Sequence, residues 1–261
     1  MTEGPGHATE LAALAAAEGR PLVFAFGGDG TYNEVARGLL GSATALGALP
    51  GGTTSVLAYE FDIPRPVERS VVALLGGSDR AMRVGRTDHD DIVLLMLSAG
   101  PDSHVLERLR PGFKRFGGRI GVALQAVVET ASGSRLPSMR VATDELAATA
   151  GWVIVGTSRC YAGETRATPG ADPFRDDLEV VVQKTDGRWA AMAFLFSMPS
   201  GRHIRRDDVV CQITGRVRIE SAVPGMVVPY QIDGDVVGNL PVEISIDPRP
   251  LVVRLPASTE G

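Results

Sequence analysis

Two cysteines, Cys160 and Cys211, are too few for a disulfide framework in a chain of 261 residues, and four scattered histidines offer no zinc-ligand spacing. Both thiols read as ordinary packed or partly exposed side chains. No apolar run is long enough to cross a membrane, and no basic segment followed by an apolar one opens the chain, so neither a membrane span nor a signal peptide is expected. That leaves a soluble protein of the cytoplasm as the expectation. Cationic excess is lacking too: the net charge of −5 argues against general nucleic-acid binding. Neither G-x-x-x-x-G-K-[ST] nor G-x-G-x-x-G occurs, which removes the commonest phosphate-binding signatures. Internal repeats and low-complexity tracts are absent.

What the chain does have is 44% hydrophobic residues, enough for a substantial core or two smaller ones, and two glycine-rich turns that each follow an apolar run. The first is Gly27-Gly28-Asp29-Gly30-Thr31 after residues 22–26; the second is Gly51-Gly52-Thr53-Thr54-Ser55 after residues 45–50. A buried strand that ends in glycines and turns into a helix leaves backbone N–H groups without partners at the helix start, where they attract anions. Thr31 and Glu34 have the spacing of a capping box ahead of Val35, Ala36, Leu39 and Leu40, and a second helix is expected from about Ser55 to Phe61, ending before Pro64. Together the turns predict one nucleotide-phosphate site.

Asp29 is the unusual member of that site. A carboxylate beside a triphosphate is repelled unless a cation lies between them or it takes a proton from an attacking hydroxyl, which is kinase chemistry. An isolated Asp-Gly pair is more often a tight turn. The preceding strand, the following helix and the second glycine turn close by favour the phosphate site.

These residues resemble the lipid kinases related to diacylglycerol kinase and sphingosine kinase, in their bacterial form. The similarity runs in order through residues 2–14 (TEGPGHATELAAL), 27–35 (GGDGTYNEV), 49–64 (LPGGTTSVLAYEFDIP), 114–126, 169–182 and 230–241 (YQIDGDVVGNLP). The resemblance implies an α/β nucleotide-binding domain like that of NAD kinase and phosphofructokinase over residues 1–79. A β-rich, sandwich-like lipid-substrate domain over 80–261 would follow, with a cleft between them for ATP and lipid. It implies ATP contacts from Thr2, Gly27, Gly28, Asp29, Gly30, Thr31, Asn33, Glu34, Gly52, Thr53, Thr54 and Ser55. Asp29 would position Mg²⁺, with Asp176 as a further ligand from the segment that holds Pro169, Ala171, Asp172, Asp177 and Glu179.

The proton acceptor for the lipid hydroxyl is implied at Asp235, or at Asp233, in Asp233-Gly234-Asp235. The family has Glu at the third position, one methylene longer. Strand alternation would point both aspartates to the same side if the segment is extended, although Asp-Gly-Asp between strands is usually a hairpin turn. Two further departures stand out. Ser55 replaces an Asn, and the family's opening strand and helix, with an Asn-Pro-x-Ser-Gly turn, have no counterpart before Thr2, as in a truncated start, a fragment or a shortened gene product. A sheet lacking that strand would expose an edge and an apolar patch.

Three functional readings stay open: an ATP- and Mg²⁺-dependent lipid kinase, a catalytically impaired nucleotide- or lipid-binding relative, and an NAD kinase-like small-molecule kinase. A homodimer stays open too, as does peripheral contact with the inner membrane face. For the latter, Arg108, Arg110, Lys114, Arg115 and Arg119 interleave with Leu106, Leu109, Phe113, Phe116 and Ile120, as at a lipid headgroup or a solvated helix end. The cluster Arg202, His203, Arg205 and Arg206 reads as a solvated turn.

Patterning supports the two-part division. Helical stretches at 8–18, 32–40 and 67–75 alternate with short apolar strands up to about Gly77, as in βαβ units. Afterwards strands are expected at 92–98, 151–156, 178–183, 189–196, 209–213, 217–221, 242–246 and 251–255, with one long helix at 118–130.

Overall fold

The computed structural model describes residues 2–52, 55–108, 137–185 and 187–257. Strand β1 (Leu22–Gly27) pairs in parallel with β2 (Ala45–Pro50) from Leu22 opposite Ala45 to Gly27 opposite Pro50, so both apolar runs end level with one another and release their glycines at the same edge. Helix α1 (His7–Ala17) crosses α2 (Asp29–Leu39) closely at Gly38, where a Cβ would lie 2.8 Å from that of Ala12. The short α3 (Val56–Glu60) and the longer α4 (Val67–Leu75) follow β2. The sheet is completed by the C-terminal strand Leu251–Leu255, parallel to β2, and by β3 (Ser78–Met82), antiparallel to that strand. The first unit therefore takes its third strand from the far end of the sequence. Strand β1 is the edge of this sheet, and its exposed Phe24 and Phe26 lie over Gly47 and Gly51 of the neighbouring strand and turn.

From Gly85 onward the chain builds two six-stranded antiparallel sheets. One runs Val209–Thr214, Leu178–Gln183, Trp152–Gly156, Met96–Ala99, Pro229–Ile232, Asp235–Asn239. The other runs Ile92–Val93, Gly85–Thr87, Val242–Ile246, Arg216–Ser221, Met139–Ala142, Ala147–Ala150. Val153, Val155, Val180 and Val182 of the first meet Val217, Ile219, Val242 and Ile244 of the second in one apolar core, which makes the unit a β-sandwich. The alternate residues Trp152, Ile154 and Val181 face outward and are covered by α6 (Arg188–Ser197). Helix α5 (Pro101–Arg108) leads away from the same sheet.

Two expected strands differ in the structure. Residues 189–196 form α6, because Ala191, Phe194 and Met198 recur at helical spacing and meet Trp152, while Ala, Met and Leu favour the helix intrinsically. The expected strand at 92–98 breaks into Ile92–Val93 and Met96–Ala99, since the amides of Leu94, Leu95 and Met96 turn toward the Asp233 carboxylate. The expected helix at 118–130 lies outside the described residues, as do residues 109–120 of the basic and apolar cluster.

Asp247, fully buried at the end of strand Val242–Ile246, accepts hydrogen bonds from Arg249 and Arg86. Burial pushes its carboxyl up, but the arginine hydrogen bonds outweigh burial and hold it at about 2 against an ordinary 3.8. A depressed folded-state value gives stabilisation that is complete above about pH 4 and lost as the pH falls through about 2, a change of about 2 kcal/mol. The urea midpoints of the native chain and of Asp247→Asn should therefore converge as the pH falls from 5 to about 2. A difference that stays constant over that range would contradict this role.

Candidate nucleotide site at the domain junction

The two glycine turns form one structure. The Gly27 carbonyl accepts the amides of Gly51 (2.8 Å) and Gly52 (2.9 Å), and the Tyr32 hydroxyl lies 2.9 Å from both the Gly27 and Leu49 carbonyls, sharing its one proton between them. A Cβ on Gly52 would sit 2.7 Å from the Gly28 Cα, so glycine is required there for the turns to touch, while one on Gly27 would sit 2.5 Å from the Thr31 hydroxyl oxygen within the first turn. Helix α2 starts at Asp29, with Gly28 in extended backbone as its N-cap and no side-chain cap. The capping box expected from Thr31 and Glu34 is thus not formed. Helix entry comes three residues earlier, and Glu34 instead accepts the Gly6 amide (3.1 Å) while its carbonyl accepts the Thr9 hydroxyl, tying α1 to α2. The first amides of α2, at residues 29–31, have no upstream helical carbonyl, which leaves the helix start suited to phosphate.

Asp29 does something the sequence did not suggest. Its two carboxylate oxygens accept the amides of Val56 (2.9 Å) and Leu57 (3.0 Å), so it caps α3 from across the site. Burial raises its pKa, opposed by those backbone hydrogen bonds. Ser55, at the N-cap position, makes no cap hydrogen bond; it is buried in left-handed backbone (φ 40°), and its hydroxyl donates to the Gly27 carbonyl (3.3 Å). Asn adopts this conformation more readily than Ser. Asp29→Ala should lower the unfolding free energy by about 1–2 kcal/mol through the lost cap, read as a shift in urea midpoint. An unchanged midpoint would show that α3 needs no cap.

Asp233-Gly234 forms a two-residue hairpin turn with φ 51° and 94° at its two positions, between strands Pro229–Ile232 and Asp235–Asn239. The turn separates the two aspartates instead of setting them on one side. Asp233 accepts four hydrogen bonds: the amides of Leu94 (3.0 Å), Leu95 (2.9 Å) and Met96 (3.0 Å) and the Asn33 side-chain amide (2.7 Å). Burial pushes its carboxyl up to about 6. Four donors fill the acceptor positions of a carboxylate, so Asp233 pins α2 to the sandwich and has no lone pair left for a substrate proton. Asn33 also donates to the Ile92 carbonyl (2.9 Å) and accepts from Arg37, making it part of the same pin. Gln231 supports the turn from below, its side-chain oxygen accepting the Gly234 amide at 2.7 Å.

Asp235, by contrast, is exposed and reaches across the junction: one of its carboxylate oxygens lies 3.6 Å from where a Cβ on Gly30 would be. The first glycine turn and the Asp-Gly-Asp hairpin, 200 residues apart in sequence at Asn33 and Asp233, therefore face each other. The junction is further held by Glu60, a buried carboxylate that accepts Arg159 Nε (2.8 Å) and the amides of Arg159 and Cys160. Beside the second turn a cavity of about 350 Å³ is lined by Pro50, Ser55, Tyr59, Asp62, Arg65 and Glu164. Glu60 and Gln231 lie in the segments 49–64 and 230–241 that carry the family resemblance, but no role is expected of them there; Arg65 and Arg159 fall outside every such segment.

The remaining expected residues are dispersed. Thr2 lies exposed ahead of α1; Thr53 and Thr54 lie outside the described residues. Asp176 is at the surface, paired with Arg83 (2.6 Å) and not with another acidic group. Its neighbours are engaged as well: Asp172 accepts the Phe174 amide, Asp177 pairs with Arg175, and Glu179 accepts the amides of Gly170 and Ala171. Among the described residues no group of three His, Cys, Asp or Glu side chains is arranged to hold a metal ion. Of the two carboxylates expected to meet Mg²⁺, Asp29 is bonded to the amides of α3 and Asp176 is paired with Arg83.

The chain thus sets the glycine turns of an α/β unit against an acidic hairpin of a β-sandwich. Two family models match in succession: the diacylglycerol kinase catalytic domain over residues 1–87 and the YegS C-terminal NAD kinase beta sandwich-like domain over residues 97–255. The chain belongs to the diacylglycerol kinase-like family of lipid kinases. A diacylglycerol kinase of Mycobacterium tuberculosis strain H37Rv is 28% identical over 261 residues, covering 97% of this chain and 83% of its own. A diacylglycerol kinase of Bacillus subtilis strain 168 is 37% identical over 86 residues, which are 32% of this chain and 28% of that protein. A crystal structure from Bacillus anthracis strain Sterne, provisionally named a diacylglycerol kinase, superposes with a TM-score of 0.80 at 19% identity, over 97% of this chain and 82% of that one, and so shares the fold.

Proposed function

We propose that the protein transfers the γ-phosphoryl group of ATP to a hydroxyl of a lipid such as diacylglycerol or a sphingoid base. The observation that carries this reading is the approach of the Asp235 carboxylate to Gly30, which sets a proton acceptor beside the helix start that would hold phosphate. The cradle fits phosphate: Gly28 and Gly30 present bare backbone, and the opening amides of α2 and the positive end of its dipole face the junction. ATP supplies the phosphoryl group. The glycine turns orient it, Asp29 keeps the second turn in place by capping α3, Asn33 and Asp233 fix the two domains to one another, and Asp235 accepts the proton of the attacking hydroxyl. Mg²⁺ finds no carboxylate cage among the described residues.

The acceptor is the part that a product analysis decides. Incubated with ATP, Mg²⁺ and equal amounts of a short-chain diacylglycerol, sphingosine and NAD, the protein should phosphorylate one of the two lipids, detected as a mass increase of one phosphoryl group. Phosphorylation of NAD alone would replace this reading with the small-molecule kinase, and no product with any acceptor would leave a binding protein.

A further inference from the structure

We propose that the outer face of α6 and the turn after it form a docking surface for an anionic lipid bilayer. On α6 the residues Ala191, Phe194 and Met198 point into the sandwich, which leaves Trp189 and Phe196, seven residues apart and hence on one side of the helix, turned to solvent. Trp189 is 69% exposed and Phe196 64% exposed, and Ile204 of the short helical turn His203–Arg205 adds a third apolar side chain at 37%. That turn is packed against α6 through the edge contact of Phe194 with His203 (5.7 Å between rings).

Charge supplies the second argument. The protein carries −5 overall, yet residues 186–208 hold four arginines against three aspartates, Asp186, Asp207 and Asp208, and between Asp186 and Asp207 the stretch is wholly basic. Arg188 sits 5.4 Å from the Trp189 ring centre, and Arg202 and Arg205 flank Ile204. Arg206 is held by Asp208 (2.8 Å) and contributes less. His203 is buried and its pKa is lowered by burial, so it stays neutral and structural. Exposed Trp and Phe, with Arg188 beside the indole and Arg202 and Arg205 on the adjoining turn, fit the headgroup region of an anionic bilayer, where indole and phenyl groups enter the interface and guanidinium groups meet phosphate. The same twenty residues read from sequence as a strand and a solvated turn, so the surface became visible only when 189–196 proved helical.

The proposal needs no catalytic activity. Phosphorylation of a dispersed short-chain diacylglycerol tests the kinase reading separately, so the two can fail independently. The test is sedimentation with vesicles of equal phosphatidylglycerol and phosphatidylcholine, compared with phosphatidylcholine alone, while tryptophan emission is followed. Trp152 is buried and Trp189 exposed, so a blue shift, and quenching by brominated lipid, report Trp189. The expected result is binding to the anionic vesicles with a blue shift. Replacing Arg188, Arg202 and Arg205 together by Gln should weaken it about 100-fold, at roughly five-fold per charge. Trp189→Ser with Phe196→Ser should weaken it by at least ~100-fold with unchanged circular dichroism. Binding that survives the paired serine variant, equal binding to neutral vesicles, or no binding of the native chain would each overturn the proposal. A concentration-dependent dimer abolished by Trp189→Ser would also overturn it, assigning the face to a second copy of the chain.

Discussion

Asp235→Asn should lower turnover by at least ~100-fold while leaving the ATP concentration for half-maximal rate nearly unchanged, the pattern of a lost general base. The reason is geometric. Asp235 is exposed, stands at the start of an edge strand and faces Gly30, so the isosteric change at this surface position should alter the unfolding free energy by less than about 1 kcal/mol. Asp235→Glu should retain turnover, because the longer side chain still reaches the glycine turn from the same strand. A variant that keeps full turnover as Asn would remove Asp235 from the chemistry, and one that loses ATP affinity in parallel would make it a binding residue.

Asp233→Ala is expected to act in the opposite way, through the fold. Removing the carboxylate leaves the amides of Leu94, Leu95 and Met96 and the Asn33 side chain without their acceptor, at a cost of about 3–5 kcal/mol for a break in a buried, hydrogen-bonded charge. Urea denaturation should show that loss, and any fall in turnover should recover in proportion to the folded fraction when the temperature is lowered. An Asp233→Ala protein of native stability with no turnover would show that this carboxylate, and not Asp235, takes the proton.

The division of labour between these two aspartates marks the limit of what the sequence made legible. Residues 22–27, 45–50, 67–75, 178–183, 242–246 and 251–255 form elements where patterning expects them: 45–50 and 178–183 are apolar runs buried throughout, while 242–246 and 251–255 alternate between buried and half-buried positions over their first four residues. The first glycine turn and the Asp-Gly-Asp hairpin were readable as motifs, and the structure sets them face to face. Which carboxylate does what was not readable. Asp29, Asn33 and Asp233 look like ligands in one dimension, but their partners are backbone amides and carbonyls of segments far along the chain, and a backbone amide has no sequence signature. Helix α6 is not distinguishable from a strand by pattern because RWAAMAFLFS is apolar on two sides; one side is buried and the other is not, and only the sandwich says which.

Transfer of labelled phosphate tests the central claim most directly. With γ-labelled ATP, Mg²⁺ and dispersed diacylglycerol, the native chain should move label into the organic-extractable fraction, and Asp235→Asn, saturated with the same ATP, should do so at least ~100-fold more slowly. Label that stays in the aqueous phase with the native chain, or that reaches lipid equally fast with Asp235→Asn, would contradict the account.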